Sequence, residues 1–556
     1  VAFADDRNIK HRHGRRVKIG AADNRSAQRG STTMADQKRL DPAPGAPAPD
    51  SGDLISRRKL LSSIAMVGGA AAVSSLAAAC AGTKAPVAET ASNAPTGSSG
   101  AAPPAVGSNG ASPAANCDGT ANAARQKYLV DVFETNYGEQ MRAQSTAWQG
   151  KFRKMSAGAF PFYRGSAAVY YTDLAGEAPD PFVTKEASRV WIQGDLHAEN
   201  FGTYLDSRGR LIFDVNDFDE AYVGSYIWDV KRFTTSLALI GYDKALADDQ
   251  IRSLIGDFVD SYTGQVKRFA DSTDDKNFAL TLDNTQGVVQ EVLRTAREQT
   301  RLALLDNLTE INDGERKFIR DKVNSTIDDQ TRSALDTTFK NYLQSVPQQL
   351  RLTDDNYRIM DATATQGFGI GSAGLRMYSL LLGGSDEALD NDVILAVKQS
   401  RPSAVAIAVE DQNIKDHFKN QGQRAAISRR ALQAPHADRW LGYSEFDGAG
   451  VLVSEVSPYG ASPEWDDINK FDELSALVKD LGRVVAKIHC VSDEDSDQRL
   501  ITGSADKAIL AGFSGKEAEF KKAVTEWSEA YAQRTRDDHR LFADAFRNGE
   551  FPSLRS

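Results

Sequence analysis

The stretch Gly194-Asp195-Leu196-His197-Ala198-Glu199-Asn200-Phe201-Gly202, followed after a turn by Phe213-Asp214-Val215-Asn216-Asp217-Phe218-Asp219-Glu220, decides how this chain is read. Val190-Trp191-Ile192 is a short apolar run entering the first segment, and Leu211-Ile212-Phe213 is another entering the second. Runs of this kind, bounded by Gly and Asp, predict buried strands. Asp206-Ser207-Arg208-Gly209-Arg210 between them is a turn sequence, so the two runs are expected to form one hairpin. Polar and acidic residues at adjacent strand ends then converge on one point. Carboxylates gathered there are electrostatically costly unless a proton or a divalent cation is shared. Oxygen ligands suit Mg²⁺ or Mn²⁺, with substrate phosphates completing the shell. The bulky flanks Trp191, Phe201, Phe213 and Phe218 argue against a freely solvated acidic loop.

Spacing sharpens the chemistry. Asp195 and Asn200 stand five positions apart, the separation at which kinase catalytic loops carry a base Asp and a metal-binding Asn, with a second metal Asp following a short hairpin. Phosphoryl transfer needs a carboxylate to take the alcohol proton, and an amide plus a carboxylate to hold Mg²⁺ on the phosphates. Asp195 is therefore expected to be the base, Asn200 and Asp214 the metal ligands, and Asp217 and Asp219 further ligands or supports. His197 is either a structural side chain bonded to the loop backbone or a contact to substrate or metal.

Phe162-Tyr163-Arg164-Gly165, the two acidic segments and Trp228-Asp229-x-Lys231-Arg232 together closely resemble an uncharacterised bacterial family, domain of unknown function 2252. Its later signatures are matched by Gly369-Ile370-Gly371-Ser372-Ala373-Gly374, Lys398 and Gly422-Gln423-Arg424, while Gln399 stands where the family often has Glu. The resemblance covers most of 123–556 and implies no settled activity. The loop around Asp195 is also similar to that of aminoglycoside phosphotransferase-like kinases, a more distant likeness.

An ordinary kinase places its glycine loop and strand lysine before the catalytic loop; here they follow it. Gly369, Gly371, Ser372 and Gly374 precede an apolar run, a Gly383-Gly384 turn and Val393-Ile394-Leu395-Ala396-Val397-Lys398, the order in which a loop covers ATP phosphates and a lysine pairs with them. Taken alone, the glycine run reads equally well as a turn. Glu410 is the candidate partner of Lys398, residues 449–456 a candidate hinge strand, and 471–490 a strongly periodic helix. The expected fold class is α+β: a bilobal, circularly permuted protein-kinase-like fold, since termini at the surface can be relocated. Helix-rich portions 123–350 and 471–556 would enclose a small antiparallel-sheet portion, 351–470. Arg164 would contact phosphate or substrate, or equally be a buried Arg paired with an acid.

The chain has 556 residues, a net charge of -10 and three cysteines. These values speak against a nucleic-acid surface, a disulfide scaffold and a cysteine-rich metal site. Residues 1–33 are basic and without apolar periodicity, and are expected to be an extension of uncertain status. Ser56-Arg57-Arg58-Lys59-Leu60-Leu61, followed by an uncharged Ala/Gly/Ser-rich run, makes 34–80 resemble a twin-arginine export signal, a membrane anchor being the alternative. Leu76-Ala77-Ala78-Ala79-Cys80 resembles a displaced lipoprotein cleavage site, predicting a lipid tether through Cys80 and a periplasmic or envelope location. Residues 81–122 are Ala-, Gly-, Pro- and Ser-rich without an aromatic, the composition of a disordered tether.

Three functions remain open on sequence: Mg²⁺-dependent phosphoryl transfer from ATP to a small-molecule or envelope acceptor, metal-dependent hydrolysis of phosphate esters, and a non-catalytic kinase-like envelope protein. Cys490, on an apolar helix face, is expected to be a core residue rather than a nucleophile.

Overall fold

Apolar residues at every fourth position, Leu129, Phe133, Tyr137 and Met141, are all buried on one face of α1 (Gly119–Ala143) in this computed structural model. The structure describes residues 119–272, 274–321, 323–365, 374–494, 496 and 500–555. The N-terminal extension, the export signal, nearly all of the tether, Cys80, Gly369, Gly371 and Ser372 lie outside them. Helix α1 begins within the last residues of the stretch expected to be tether. It leads into α2 (Ser145–Met155), α3 (Ala159–Gly165) and α4 (Ala167–Ala175).

The central segment carries β1 (Val190–Ile192), β2 (Phe201–Leu205), β3 (Leu211–Val215) and β4 (Tyr222–Gly224). Its pairing corrects the expected hairpin. Strand β3 pairs with β2, and β1 pairs antiparallel with β4. The turn at 206–210 is as expected: the Asp206 carboxylate accepts from the Arg208 and Arg210 amides, and Gly209 adopts φ 78°. The first run cannot reach that turn because Gly194, at φ 84°, ends it and 193–200 becomes a loop.

Helices α5 (Tyr226–Asp243), α6 (Asp248–Ala270), α7 (Gly287–Glu298) and α8 (Arg301–Leu308) follow. The helical run ends at Leu308, inside the portion expected to be helix-rich, 123–350. Strands β5 (Thr309–Asn312) and β6 (Glu315–Phe318) form a hairpin whose loop residues Asp313 and Gly314 sit at φ 53° and 80°. An Asp-Gly pair at positive φ is a tight hairpin turn.

Next come β7 (Asn324–Ser325), α9 (Asp329–Ser345), β8 (Ile359–Thr365), β9 (Met377–Leu382), β10 (Val393–Gln399), α10 (Gln412–His417), α11 (Gln421–Leu432), β11 (Gly442–Phe446) and β12 (Ala449–Glu455). They build a six-stranded antiparallel sheet in the order β11-β12-β10-β9-β8-β7. Side chains alternate across it. Val393, Leu395 and Val397 pack with Leu335, Phe339 and Tyr342 of α9, whereas Ile394 and Ala396 join Leu304, Leu305 and Phe318 on the other face. The sheet portion therefore starts near residue 301 rather than 351, because α8, β5–β6 and α9 bury their apolar faces against it.

Helices α12 (Phe471–Cys490), α13 (Ala505–Phe513) and α14 (Glu517–Arg547) complete the chain. Leu474, Leu477, Val478, Leu481, Val485 and Ile488 give α12 its buried stripe. Gly482 lets it approach α6 closely: a Cβ there would lie 2.7 Å from the Phe258 carbonyl oxygen. The class is α+β, with antiparallel sheets throughout. Among the described residues no helix is long and apolar enough to cross a membrane.

Candidate functional site

The loop after β1 is fixed by hydrogen bonds at almost every step. Asp229 of α5 accepts from the backbone amides of Gln193 (2.6 Å) and Gly194 (2.9 Å), and the Tyr171 hydroxyl donates to the Gly194 carbonyl. A Cβ at Gly194 would stand 2.3 Å from the Glu220 carbonyl oxygen, so this close approach requires glycine. Gln193 joins the two acidic segments, donating to the Asn216 and Asp217 carbonyls and accepting from the Asp195 amide. Asn200 donates to the Asp195 carbonyl (2.9 Å), and the Asn216 amide donates to the Asn200 carbonyl (3.0 Å).

Asp195, 16% exposed, is gripped at Oδ1 by Nε and Nη2 of the fully buried Arg232. Arg232 is sandwiched by the rings of Tyr163 and Tyr170 at 4.4 and 4.8 Å. Both contacts go to Oδ1, so Oδ2 takes no bond from Arg232, and Asp195 lines a cavity. Burial raises the Asp195 pKa from 3.8 to about 6 against the pull of Arg232, with Glu220 adding to the rise. The group is ionised at neutral pH, yet far more basic than an ordinary aspartate.

Lys398 continues the face of β10 that carries Ile394 and Ala396, and its Nζ lies 2.5 Å from Asp219 Oδ2, 179 positions earlier in the chain. From the order of glycine run, strand and lysine, Lys398 is expected to face ATP phosphates with Glu410 as its partner. Glu410 is not its partner: it is exposed, in the loop before α10. For Asp219, burial pushes the pKa up, but Lys398, Arg401 and Arg424 outweigh it and the net shift is downward. Among the described residues Asp217 forms no ion pair; burial, then the neighbouring Asp219 charge, raise its pKa to about 7, though the Lys398 charge partly lowers it. Its backbone is left-handed, at φ 51°. Asp tolerates this conformation better than most residues, as Asp313 and Asp447 also show.

Asp214, expected as the metal ligand, is committed elsewhere. It is 2% exposed, accepts from Lys487 of α12 at 2.8 Å, and borders neither cavity described below. His197 is 3% exposed, packs edge-on against Phe160, and keeps Nδ1 without a partner; burial, then Arg164 and Arg232, push its pKa well down. It is thus a neutral imidazole. Arg164 takes the ion-pair alternative in part, with Nη1 2.5 Å from Glu199, and it lines a cavity as well. Gly374, at φ 77°, rests against Trp148 of α2. Cys490 is buried and has no disulfide partner among the described residues.

Two cavities meet at Asp217 and Asp219. The larger offers about 70 Å³ to a water-sized sphere, between Tyr204, Val215, Phe218 and the sheet residues Leu452 and Glu455. The smaller offers about 10 Å³, the space of a single water, and its wall mixes the carboxylates Asp195, Asp217, Asp219 and Glu220 with Lys151, Arg164 and Arg401. Sequence reading missed several members. Lys151 sits at a core position of α2 between Trp148, Phe152 and Met155, and a lysine at an apolar spacing was the available signal. Glu455 closes the expected hinge strand; burial raises it to about 7, opposed by Arg301 at 2.7 Å. Glu220 accepts from the Ala404 amide (2.5 Å) and from Arg401 (3.3 Å), while Arg424 donates to the Asp219, Ala221 and Arg401 carbonyls. These bonds latch the sheet portion to the acidic segment.

Among the described residues no group of three or more His, Cys, Asp or Glu is arranged to hold a metal. A nucleotide-borne Mg²⁺ needs fewer, since it keeps waters and phosphate oxygens and takes one or two carboxylates from protein. Asp217, which lines both cavities, fits that requirement, whereas Asn200 and Asp214 line neither. The family described as uncharacterized proteins conserved in bacteria, DUF2252, matches residues 142–545, well over half of the chain. No curated protein and no solved structure gives a significant match.

Proposed function

The chain belongs to that bacterial family, DUF2252, whose description assigns no chemistry, and from its site we propose that it is a Mg²⁺-dependent phosphotransferase of kinase-like, circularly permuted design. One observation carries the reading. Lys398, arriving from the sheet, pairs with Asp219 at the wall common to both cavities, with Asp195 in the wall of one of them. ATP would bind at the open mouth of the larger cavity, which must widen to admit it, with its phosphates directed to Lys398. The acceptor alcohol would approach Asp195 from the side of the smaller cavity, which must open likewise.

Asp217 would hold Mg²⁺, which neutralises charge on the phosphates as the transferring group becomes electron-deficient. The Asp195 carboxylate orients the acceptor hydroxyl and takes its proton through Oδ2. The acceptor oxygen forms its bond to the γ-phosphorus as the bond from that phosphorus to the bridging oxygen breaks. ADP departs with that electron pair, and the proton leaves Asp195 to solvent. Arg232 keeps Asp195 ionised and aimed; Asp229 and Gln193 keep the loop in place. The twin-arginine-like segment supports export to the envelope, in which case ATP loading precedes or accompanies folding in the cytoplasm.

Calorimetry of the full chain with Mg·ATP, alone and as Asp217→Asn, tests this reading. The wild type is expected to bind and the variant to lose most of its affinity. Absence of nucleotide binding by the wild type would sink it. An activity on phosphate esters that survives Lys398→Ala would instead favour a hydrolase, which has no use for that lysine.

A further inference from the structure

Neither cavity admits a nucleotide at about 70 and 10 Å³, and the residues common to both walls are Asp217 and Asp219. Contacts at that junction must part before a ligand enters. The sheet portion is joined there to residues 219–221 by bonds of two kinds. Arg424 donates to the Asp219 and Ala221 carbonyls, the Ser403 hydroxyl to the Glu220 carbonyl, and the Ala404 amide to the Glu220 carboxylate. Arg424, Ser403 and Glu220 are buried, and each of these bonds has a backbone group on one side, so a ligand cannot readily take a partner's place. Lys398–Asp219 is of the other kind. It joins two side chains, and Asp219 lines both cavities.

Each member of that pair occupies what a ligand would need from the other. A phosphate approaching Lys398 must displace Asp219, and a divalent cation approaching Asp219 must displace Lys398. Either ligand alone strands one buried charge, which is strongly unfavourable. Phosphate on Lys398 leaves Asp219 beside Asp217 without its contact cation, since Arg401 and Arg424 bond to Glu220 and to backbone. A cation on Asp219 leaves Lys398 unpaired.

We propose that Lys398–Asp219 is an autoinhibitory contact, which closes the junction of the two cavities and parts when a phosphate and a divalent cation arrive together. The inference rests on the phosphotransferase reading for the identity of those ligands. Arriving together, they replace one ion pair by two, Lys398 with phosphate and Asp219 with the cation. Nucleotide and metal then depend on each other: each binds weakly alone, and each strengthens the other by the same factor.

The test has two arms, both on the full chain. Without ligand, lysines are acylated with the N-hydroxysuccinimide ester of acetic acid and followed by mass spectrometry. Asp219→Asn is expected to speed acylation of Lys398 at least about tenfold over the wild type. Lys487, similarly buried and paired with Asp214, is the internal control and stays unchanged. In the second arm, calorimetry follows ADP in EDTA. Metal-free ADP is expected to bind Asp219→Asn at least about tenfold tighter than the wild type. Asp217→Asn removes the same charge without freeing a lysine, and its gain is expected to be smaller. Unchanged acylation of Lys398 in Asp219→Asn overturns the proposal, as does an equal gain in the two variants, which is the effect of charge alone. Should Asp219→Asn fail to fold, or Lys487 react faster in parallel, Lys398→Met decides. Freed of its lysine, Asp219 is expected to bind Mg²⁺ without nucleotide at least about tenfold tighter than in the wild type, and no gain overturns the proposal. Faster acylation of Lys398 in a protein that binds no nucleotide would remove the phosphotransferase reading and keep the closing contact. Nucleotide binding with unchanged acylation would remove only the contact.

Discussion

Two buried lysine–aspartate pairs stand five positions apart along the acidic segment, and they do different work. Lys487–Asp214 spans 2.8 Å with side chains 5% and 3% exposed, and Lys487 also donates to the Leu432 carbonyl. Lys398–Asp219 spans 2.5 Å with side chains 3% and 12% exposed, and Asp219 lines both cavities. The first pins α12 to β3. The second, chemically the same, lies where a ligand can exchange for one partner. Pairing alone does not make a site; access does.

The comparison can be broken most sharply at Asp195, the proposed base. Asp195→Asn is expected to lower phosphoryl transfer about 10²–10⁴-fold, measured with whichever alcohol proves an acceptor, while the fold stays intact. Lys487→Met is expected to do the reverse. It should cost about 3–5 kcal/mol of stability in urea unfolding by stranding Asp214, with turnover per folded molecule unchanged. Adding Asp214→Leu should restore most of that stability, because two apolar groups can replace a buried pair. If Lys487→Met instead abolished nucleotide binding in folded protein, the two pairs would not be distinct. Lys398→Met should weaken Mg·ATP by about 1.5–3 kcal/mol, the range for a hydrogen bond to a charged group.

The pH profile sharpens the same contrast. Asp195 must be ionised to act, and its pKa is raised to about 6 by burial. Log kcat/KM should therefore fall with unit slope below about pH 6, and that limb should vanish in Asp195→Asn. The stability sign is opposite. A carboxyl raised from 3.8 to about 6 favours the protonated folded state, so its contribution is lost as pH rises through that window. The exposed pair Lys470–Glu473 sets the small end: Lys470→Ala should leave the urea midpoint unchanged within error.

Much of the site was legible because its chemistry is written in short segments. The five-residue spacing of Asp195 and Asn200 and the terminal position of Lys398 on a strand both placed residues that the structure brings together. Asp214 was misassigned because sequence reports a carboxylate, not its neighbour: the lysine that claims it lies on α12, far along the chain. The hairpin error has a similar origin, since the left-handed turn at Gly194 is visible only once Glu220 is seen against it. Glu410 lay at a plausible distance in sequence but on an exposed loop. Lys151 and Arg401 escaped because a buried cation reveals itself only when its surroundings are known.

Glu220 and Arg401 are 181 positions apart. At the usual rate of synthesis, about 5–20 residues per second, the acidic segment leaves the ribosome roughly ten to forty seconds ahead of the cations that neutralise it. During that interval Asp217, Asp219 and Glu220 are a solvated anionic stretch with no reason to bury, and β1–β4 cannot close into their final packing. The nascent chain must hold its first half open until the sheet arrives, so maturation of this protein is timed by its own topology.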